Sequence, residues 1–253
     1  MRRIICLLFI LSALTANAQR RDTVSRVKTG FICQFTYNFN VPGADLAKRY
    51  YANSAVGAGV YYKTGKNWFF GIEGSYWFGG KLKEAGIFDQ VVDSAGYAID
   101  NNGSFIPIDA QQRGYNLNVK VGKVFPVMKK NKNSGIMVSM GAGYMEHFLR
   151  LTNNSLGVAA LQGDFRYGYD RLTSGLMFNE FIGWQNLDKR NRLNFFIGFE
   201  FAQGYTYSRR TIDYDKRTGN PNPRFDSYYG IRFGWLLPIY TGVASSGGGY
   251  KFK

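Results

Sequence analysis

The 253-residue chain holds one histidine, so proton-transfer chemistry has few places to reside. His147 follows Glu146 and precedes Phe148 and Leu149. No Ser stands beside it in a His-x-Ser arrangement, and acid–base or nucleophilic hydrolysis lacks its partner residues. His147 is therefore expected to be an interfacial side chain. Cys6 and Cys33 are the only cysteines, and with a single His they do not make a usual transition-metal site. Glycines recur inside alternating segments rather than in a phosphate-cradling loop. The expectation is no catalytic residue, no metal and no cofactor. Four isolated charges remain of chemical interest: Glu73, Lys120, Glu200 and Arg232.

The elements that would position those charges are strands. Period-two alternation recurs along the chain and helical periodicity is nearly absent. Apolar positions run Phe31 to Phe39, Val56 to Tyr62, Trp68 to Phe78, Tyr115 to Val121, Ile136 to Tyr144, Leu193 to Phe201 and Tyr229 to Leu237. Another segment, Leu172 to Trp184, has an ambiguous phase, because placing Leu176 and Phe178 on the apolar face also places Glu180 there; a bulge would repair it. Connections alternate in length, long around 40–54, 79–112, 150–170 and 208–225, short at 64–67, 126–134 and 185–191. Segments of about 10 to 13 residues joined in this way are expected of an all-β, eight-stranded antiparallel up-and-down barrel that spans a membrane. The mean hydropathy of −0.25 argues against a helical membrane protein.

The second face of each segment separates a membrane barrel from a soluble one. It carries mostly Gly, Asn, Ser and Ala, which suits a narrow filled interior rather than a water-exposed exterior. Aromatics gather at segment ends, at Tyr37, Trp68, Tyr76, Tyr144, Trp184, Tyr205, Tyr229 and Tyr240 among others, where amphipathic rings favour the membrane interface. In this pattern the chain resembles the small eight-stranded outer-membrane barrels typified by the OmpA transmembrane domain and OmpX, in the aromatic- and Gly-rich style of Bacteroidota. The resemblance implies short periplasmic turns, long extracellular loops and interior salt bridges.

Glu73, Lys120, Glu200 and Arg232 lie on the second face, each acid with a base on the next segment. Two lumen ion pairs are expected, Glu73 with Lys120 and Glu200 with Arg232, as static filling of the interior; partner-swapping in a gate is the alternative. Without Arg2 and Arg3 of the expected signal peptide the net charge of +15 becomes +13, and it concentrates at the short-turn end. Lys63, Lys66, Lys123, Lys129, Lys130, Lys132, Lys189, Arg190 and Arg192 form a basic periplasmic rim, suited to anionic headgroups or to an acidic periplasmic protein or cell-wall polymer. Export excludes nucleic acid as a partner. The loop 79–112 is expected to fold over the mouth as a lid, with a short helix near Lys83 to Val92 and a turn at Asp100 to Gly103. The last long loop, with Arg209, Arg210, Asp213, Asp215, Lys216, Arg217 and Arg224, reads as a solvated mixed-charge tip or as a bridge to lipopolysaccharide phosphates.

At the N-terminus, Arg2 and Arg3, the apolar stretch Ile4 to Leu14 and Ala16-Asn17-Ala18 have the order of a cleaved signal peptide. Gln19 after the cut argues against lipoprotein processing, and Cys33 is left without an internal disulfide partner. The expected organisation is a signal peptide at 1–18, a periplasmic segment at 19–29, the barrel at 30–240 and a periplasmic tail at 241–253. The leading functional expectation is a non-enzymatic outer-membrane barrel with a structural or interaction role, an accessory subunit of an envelope machine docking through its basic rim, in contact with outer-membrane lipids and lipopolysaccharide. The other readings are a narrow channel or ligand-binding barrel gated by lumen ion pairs and, more remotely, a lipid-modifying enzyme.

Overall fold

The structure is a computed structural model and describes residues 27–80, 82–129, 131–152, 155–188, 193–217 and 222–240. The expected signal peptide and C-terminal tail, and Lys130, Lys189, Arg190 and Arg192 of the expected rim, lie outside the described residues. Among the described residues there are ten strands: β1 (Gly30–Ala44), β2 (Asn53–Lys63), β3 (Trp68–Phe78), β4 (Tyr97–Ile99), β5 (Phe105–Pro107), β6 (Ala110–Pro126), β7 (Gly135–Leu151), β8 (Thr173–Leu187), β9 (Asn194–Ser208) and β10 (Arg224–Tyr240). Eight of them close an antiparallel barrel in the order β1-β10-β9-β8-β7-β6-β3-β2, while β4 and β5 pair as a hairpin in the second long loop. The ladder of β1 on β10 runs without a break from Gly30–Tyr240 to Ala44–Asp226, so no barrel strand is left with an unpaired edge.

Alternation fixes which side chains face outward. Phe35, Ile72, Leu117, Met140, Leu176, Phe199 and Trp235 are exposed around the wall, and their neighbours in sequence point inward. Apolar side chains exposed on every barrel strand form a continuous belt, which is the surface a bilayer covers. Tyr37, Tyr76, Tyr115, Tyr144, Tyr205 and Tyr229 stand at the long-loop edge of the belt and Trp68 at the short-turn edge. No helix among the described residues is long and apolar enough to cross a membrane.

Two expectations about local structure are corrected. β8 contains no bulge: it pairs residue for residue with β7 and with β9, so Glu180, between Met140 and Phe201, faces outward in mid-strand. What makes this tolerable is Gln203 on β9, whose Nε2 donates to the Glu180 carboxylate at 3.2 Å. The segment from Lys83 to Val92 forms turns rather than a helix. Ile87 is buried, and Phe88, Val91 and Val92 pack beside it against the barrel mouth, so burial of apolar groups outweighs local helix formation. The turn at Asp100 to Gly103 is present, with Asp100 Oδ1 accepting from the amides of Asn102 and Ser104 and Gly103 at φ +80°.

An outward carboxylate and its amide partner in the hydrocarbon cost stability relative to leucine. The double substitution Glu180→Leu with Gln203→Leu is expected to raise the unfolding free energy in lipid vesicles by roughly 1 to 2 kcal/mol. An unchanged or lower value in urea titrations would place this pair outside the hydrocarbon.

Candidate functional site: a lumen sealed at three levels

The inward positions build three layers. At the centre, Glu73 on β3, Lys120 on β6, Glu200 on β9 and Arg232 on β10 meet in one cluster with side chains only 2 to 4% exposed. Instead of two separate pairs, each cation touches both acids. Lys120 Nζ lies 3.1 Å from Glu73 and 2.8 Å from Glu200, and Arg232 Nη1 lies 2.6 Å from Glu200 while its Nη2 binds Glu73. The ladders explain both kinds of contact. Glu73 pairs with Asn118 and Lys120 with Gly71, so these two charges are diagonal neighbours on adjacent strands. Lys120 with Glu200 and Arg232 with Glu73 instead join strands separated by two others, and therefore cross the lumen.

Neutral side chains complete the coordination. Gln34 Nε2 and Tyr61 Oη donate to Glu73, the tyrosine at 2.8 Å. Asn38 and Asn179 donate to Glu200 at 2.5 and 3.2 Å. The Arg232 guanidinium also lies over the Phe196 ring, 5.5 Å from its centroid. Space for this crowd comes from missing side chains on facing strands. A Cβ on Gly141 would sit 2.6 Å from Lys120 Cγ, and one on Gly234 would sit 2.0 Å from the Phe196 ring.

Below the tetrad, toward the short turns, Ile32, Tyr61, Phe69, Val124, Met137, Phe181, Leu187, Phe196 and Leu236 pack as an apolar layer. The turn 127–134 closes that end. Asn131 Nδ2 donates to the Leu187 carbonyl at 2.8 Å, and Gln185 Nε2 to the Asn133 carbonyl at 3.2 Å. Lys63 belongs to this seal and not to an exposed rim: it is 1% exposed and donates to the Lys28 carbonyl and to Asn133 Oδ1, both at 3.1 Å. Lys66, Lys129 and Lys132 are exposed. Lys123 is half-buried, 5.1 Å over the Trp68 ring.

Above the tetrad lies a second apolar layer built on Leu46, Tyr50, Trp77, Ile87, Met145, Leu161, Tyr169, Met177 and Tyr228. It is supplied partly by the wall and partly by the long loops, including a single helical turn, α1 (Leu46–Arg49). His147 lies within this layer rather than at the interface. Its position on β7 is odd-numbered, opposite in phase to the lipid-facing Tyr144, and it is fully buried. Its Nε2 is 3.0 Å from Asp226 Oδ2, and its Nδ1 is 3.4 Å from the Tyr50 hydroxyl. Thr206 Oγ1 donates to the same Asp226 oxygen at 2.5 Å, and Arg224 approaches the other at 3.3 Å. The histidine thus serves as an internal hydrogen-bond bridge without solvent access.

Over this layer the long loops are tied together by charges. Arg171, at 0% exposure, sits 3.0 Å from Asp213, 2.5 Å from Asp215 and 3.5 Å from Glu84. Arg49 reaches Glu84 at 3.1 Å and Thr173 at 3.0 Å, and Lys216 reaches Glu84 at 3.1 Å. Arg209 donates to Ser174, and Arg210 is bound to Asp170. The last loop is therefore engaged with its neighbours rather than solvated; residues 219–221 of its turn lie outside the described residues. Arg49, Glu84 and Arg171 went unmarked in the sequence because single charges in long loops carry no spacing signal. Burial alone would raise the Glu84 carboxyl, but Arg49, Arg171 and Lys216 hold it below its ordinary value. Asp215 likewise resists burial and is lowered by Arg171.

No known protein-family profile matches the chain, and no curated protein matches it. Among solved structures it is similar to Neisserial surface protein A, at 10% identity over 83% of this chain and 97% of that one, TM-score 0.45. It is similar to Ail of Yersinia pestis in complex with the heparin analogue sucrose octasulfate, at 11% identity over 83% and 99%, TM-score 0.44. OprG, an outer membrane protein of Pseudomonas aeruginosa, aligns at 11% identity over 86% and 100%, TM-score 0.34.

Removing one member of the tetrad strands a buried charge, so Glu200→Gln is expected to destabilise the barrel by about 3 to 5 kcal/mol in vesicle urea titrations. Adding Lys120→Met, which restores neutrality, should recover part of that loss; a Glu200→Gln barrel as stable as the parent contradicts the geometry. For the loop network the pH dependence has a definite sign. Carboxyls held below their unfolded values contribute stability that is complete above about pH 5 and lost as pH falls through the folded values. Hydrogen exchange corrected for intrinsic rates should show residues 82–92 and 209–217 losing protection from pH 7 to pH 3 while the strands keep theirs. Equal loop protection at both pH values would remove the network from the account.

Proposed function

We propose that the protein is a sealed outer-membrane barrel with a structural or interaction role, its short turns in the periplasm and its long loops outside. The observation that carries this reading is the three-layer lumen: an apolar layer on each side of a neutral charge tetrad whose carboxylate oxygens all accept hydrogen bonds. Ion conduction needs a continuous hydrated path, and here two layers of packed side chains interrupt it. The same packing argues against catalysis at His147, which has its carboxylate partner but no access for a substrate. Function then falls to the outer surfaces, namely the ionically tied loop cap at one end and the exposed Lys66, Lys129 and Lys132 at the other. Such a rim suits docking of an acidic periplasmic partner of an envelope assembly, or contact with anionic headgroups.

Planar-bilayer recording tests the reading. The wild-type barrel is expected to give no steady openings. Steady openings that Glu200→Gln alters in size or frequency would instead favour a channel gated by the tetrad.

A further inference from the structure

The outward positions of β7 trace a path from hydrocarbon to headgroup depth. Val138, Met140 and Ala142 lie in the belt, Tyr144 at its aromatic edge, and Glu146, Phe148 and Arg150 beyond it. Two cavities follow that path on the outside of the wall. The upper one is a cleft of about 510 Å³ lined by Phe148, Arg150, Arg166, Tyr167, Leu172 and Arg210, with Glu146 and Asp170 also on its surface. The lower one is an apolar groove of about 540 Å³, where the small side chain of Ala142 leaves a gap among Leu117, Val119, Tyr144, Leu176 and Phe178. Tyr144 borders the groove and Glu146 the cleft, and the Tyr144 hydroxyl donates to Glu146 at 2.9 Å.

The charges in the cleft are unevenly committed. Asp170 is taken by Arg210, whose guanidinium stacks 4.4 Å over the Tyr167 ring. Glu146 accepts from Tyr115 and Tyr144, at 2.7 and 2.9 Å. Arg166 lies on the same Tyr167 ring and donates to its hydroxyl at 3.0 Å, with no carboxylate partner among the described residues. Arg150 is exposed and makes no ion pair or side-chain hydrogen bond with any described residue. Two guanidiniums without carboxylate partners, above an apolar slot and at headgroup depth, match a phosphate carried on acyl chains.

We propose that this cleft and groove bind one phosphorylated, acylated glycolipid of the lipid A type, its phosphate between Arg150 and Arg166 and an acyl chain over Ala142. From Phe148 to Tyr144 is four residues, about 13 Å of strand, so a single lipid spans both cavities. The choice of occupant rests on the proposed outer-membrane placement, which puts the long-loop end in the leaflet where such glycolipids reside. The groove stops short of Glu180, whose carboxylate is engaged toward β9 by Gln203.

Native mass spectrometry of the refolded full-length barrel in detergent, titrated with diphosphorylated lipid A, dephosphorylated lipid A or phosphatidylglycerol, tests the site. One diphosphorylated lipid A per barrel is expected. Retention should fall by about tenfold or more on dephosphorylation or in Arg150→Ala with Arg166→Ala, each guanidinium–phosphate contact being charge-assisted. Ala142→Phe, which fills the groove without touching a charge, should also weaken retention. Heat-modifiable migration on gels verifies that each variant is folded. Undiminished lipid A binding in the arginine pair variant, or phosphatidylglycerol held as tightly as lipid A, overturns the proposal. Membrane fractionation tests the placement separately: a barrel found outside the outer-membrane fraction refutes the placement whatever the binding in detergent shows.

Discussion

Hydrocarbon offers no hydrogen-bond partner to an exposed peptide group, and this constraint governs every level of the structure. A spanning sheet must close, and the ladder of β1 on β10 closes this one. Closure with eight strands leaves an interior only wide enough for side chains. Whatever points inward must then be packed and satisfied like a protein core, while whatever points outward faces lipid. The inverted appearance of the molecule, with Phe, Ile and Leu exposed and Asn, Gln and Glu buried, follows from this geometry.

The interior resolves the conflict between burial and charge through neutrality and crossing contacts. Two acids and two bases at the centre, surrounded by Gln34, Asn38, Tyr61 and Asn179, leave no carboxylate oxygen without a partner. Such a cluster gains little relative to well-packed apolar groups, but it penalises any arrangement that separates its members. The aromatic and aliphatic layers on either side do the ordinary work of exclusion. The axis of the barrel is thereby filled with side chains.

Much of the fold was legible from period-two alternation, because the face a side chain occupies in a barrel is set by parity alone. The outward sets Phe31 to Phe39 and Tyr229 to Leu237 follow directly from it. The tetrad members were visible as lone charges on a Gly- and Asn-rich face, yet their four-way arrangement was not, since contacts across a lumen depend on shear and tilt that no local pattern records. Glu180 misled the reading of β8 because its compensating Gln203 lies on a different strand. Parity on β7 points His147 inward, but a polar residue near a strand end also fits the interface, and its place in the sequence does not separate the two. The contacts of the loop network and of the arginine cleft were hidden for a further reason: they join residues of separate long loops, and in the cleft the end of β7, brought together only by the closed wall beneath them.

The origin of the four central charges has a consequence for assembly. They come from β3, β6, β9 and β10, so the last of them joins only when the final strand has been added and the first has been matched to it. A sheet that lacks its last strand leaves Glu73, Lys120 and Glu200 without Arg232, whereas the closed ring gives both acids both bases. The cluster therefore ties the stability of the centre to completion of the ring, because a buried charge left without its partner is costly.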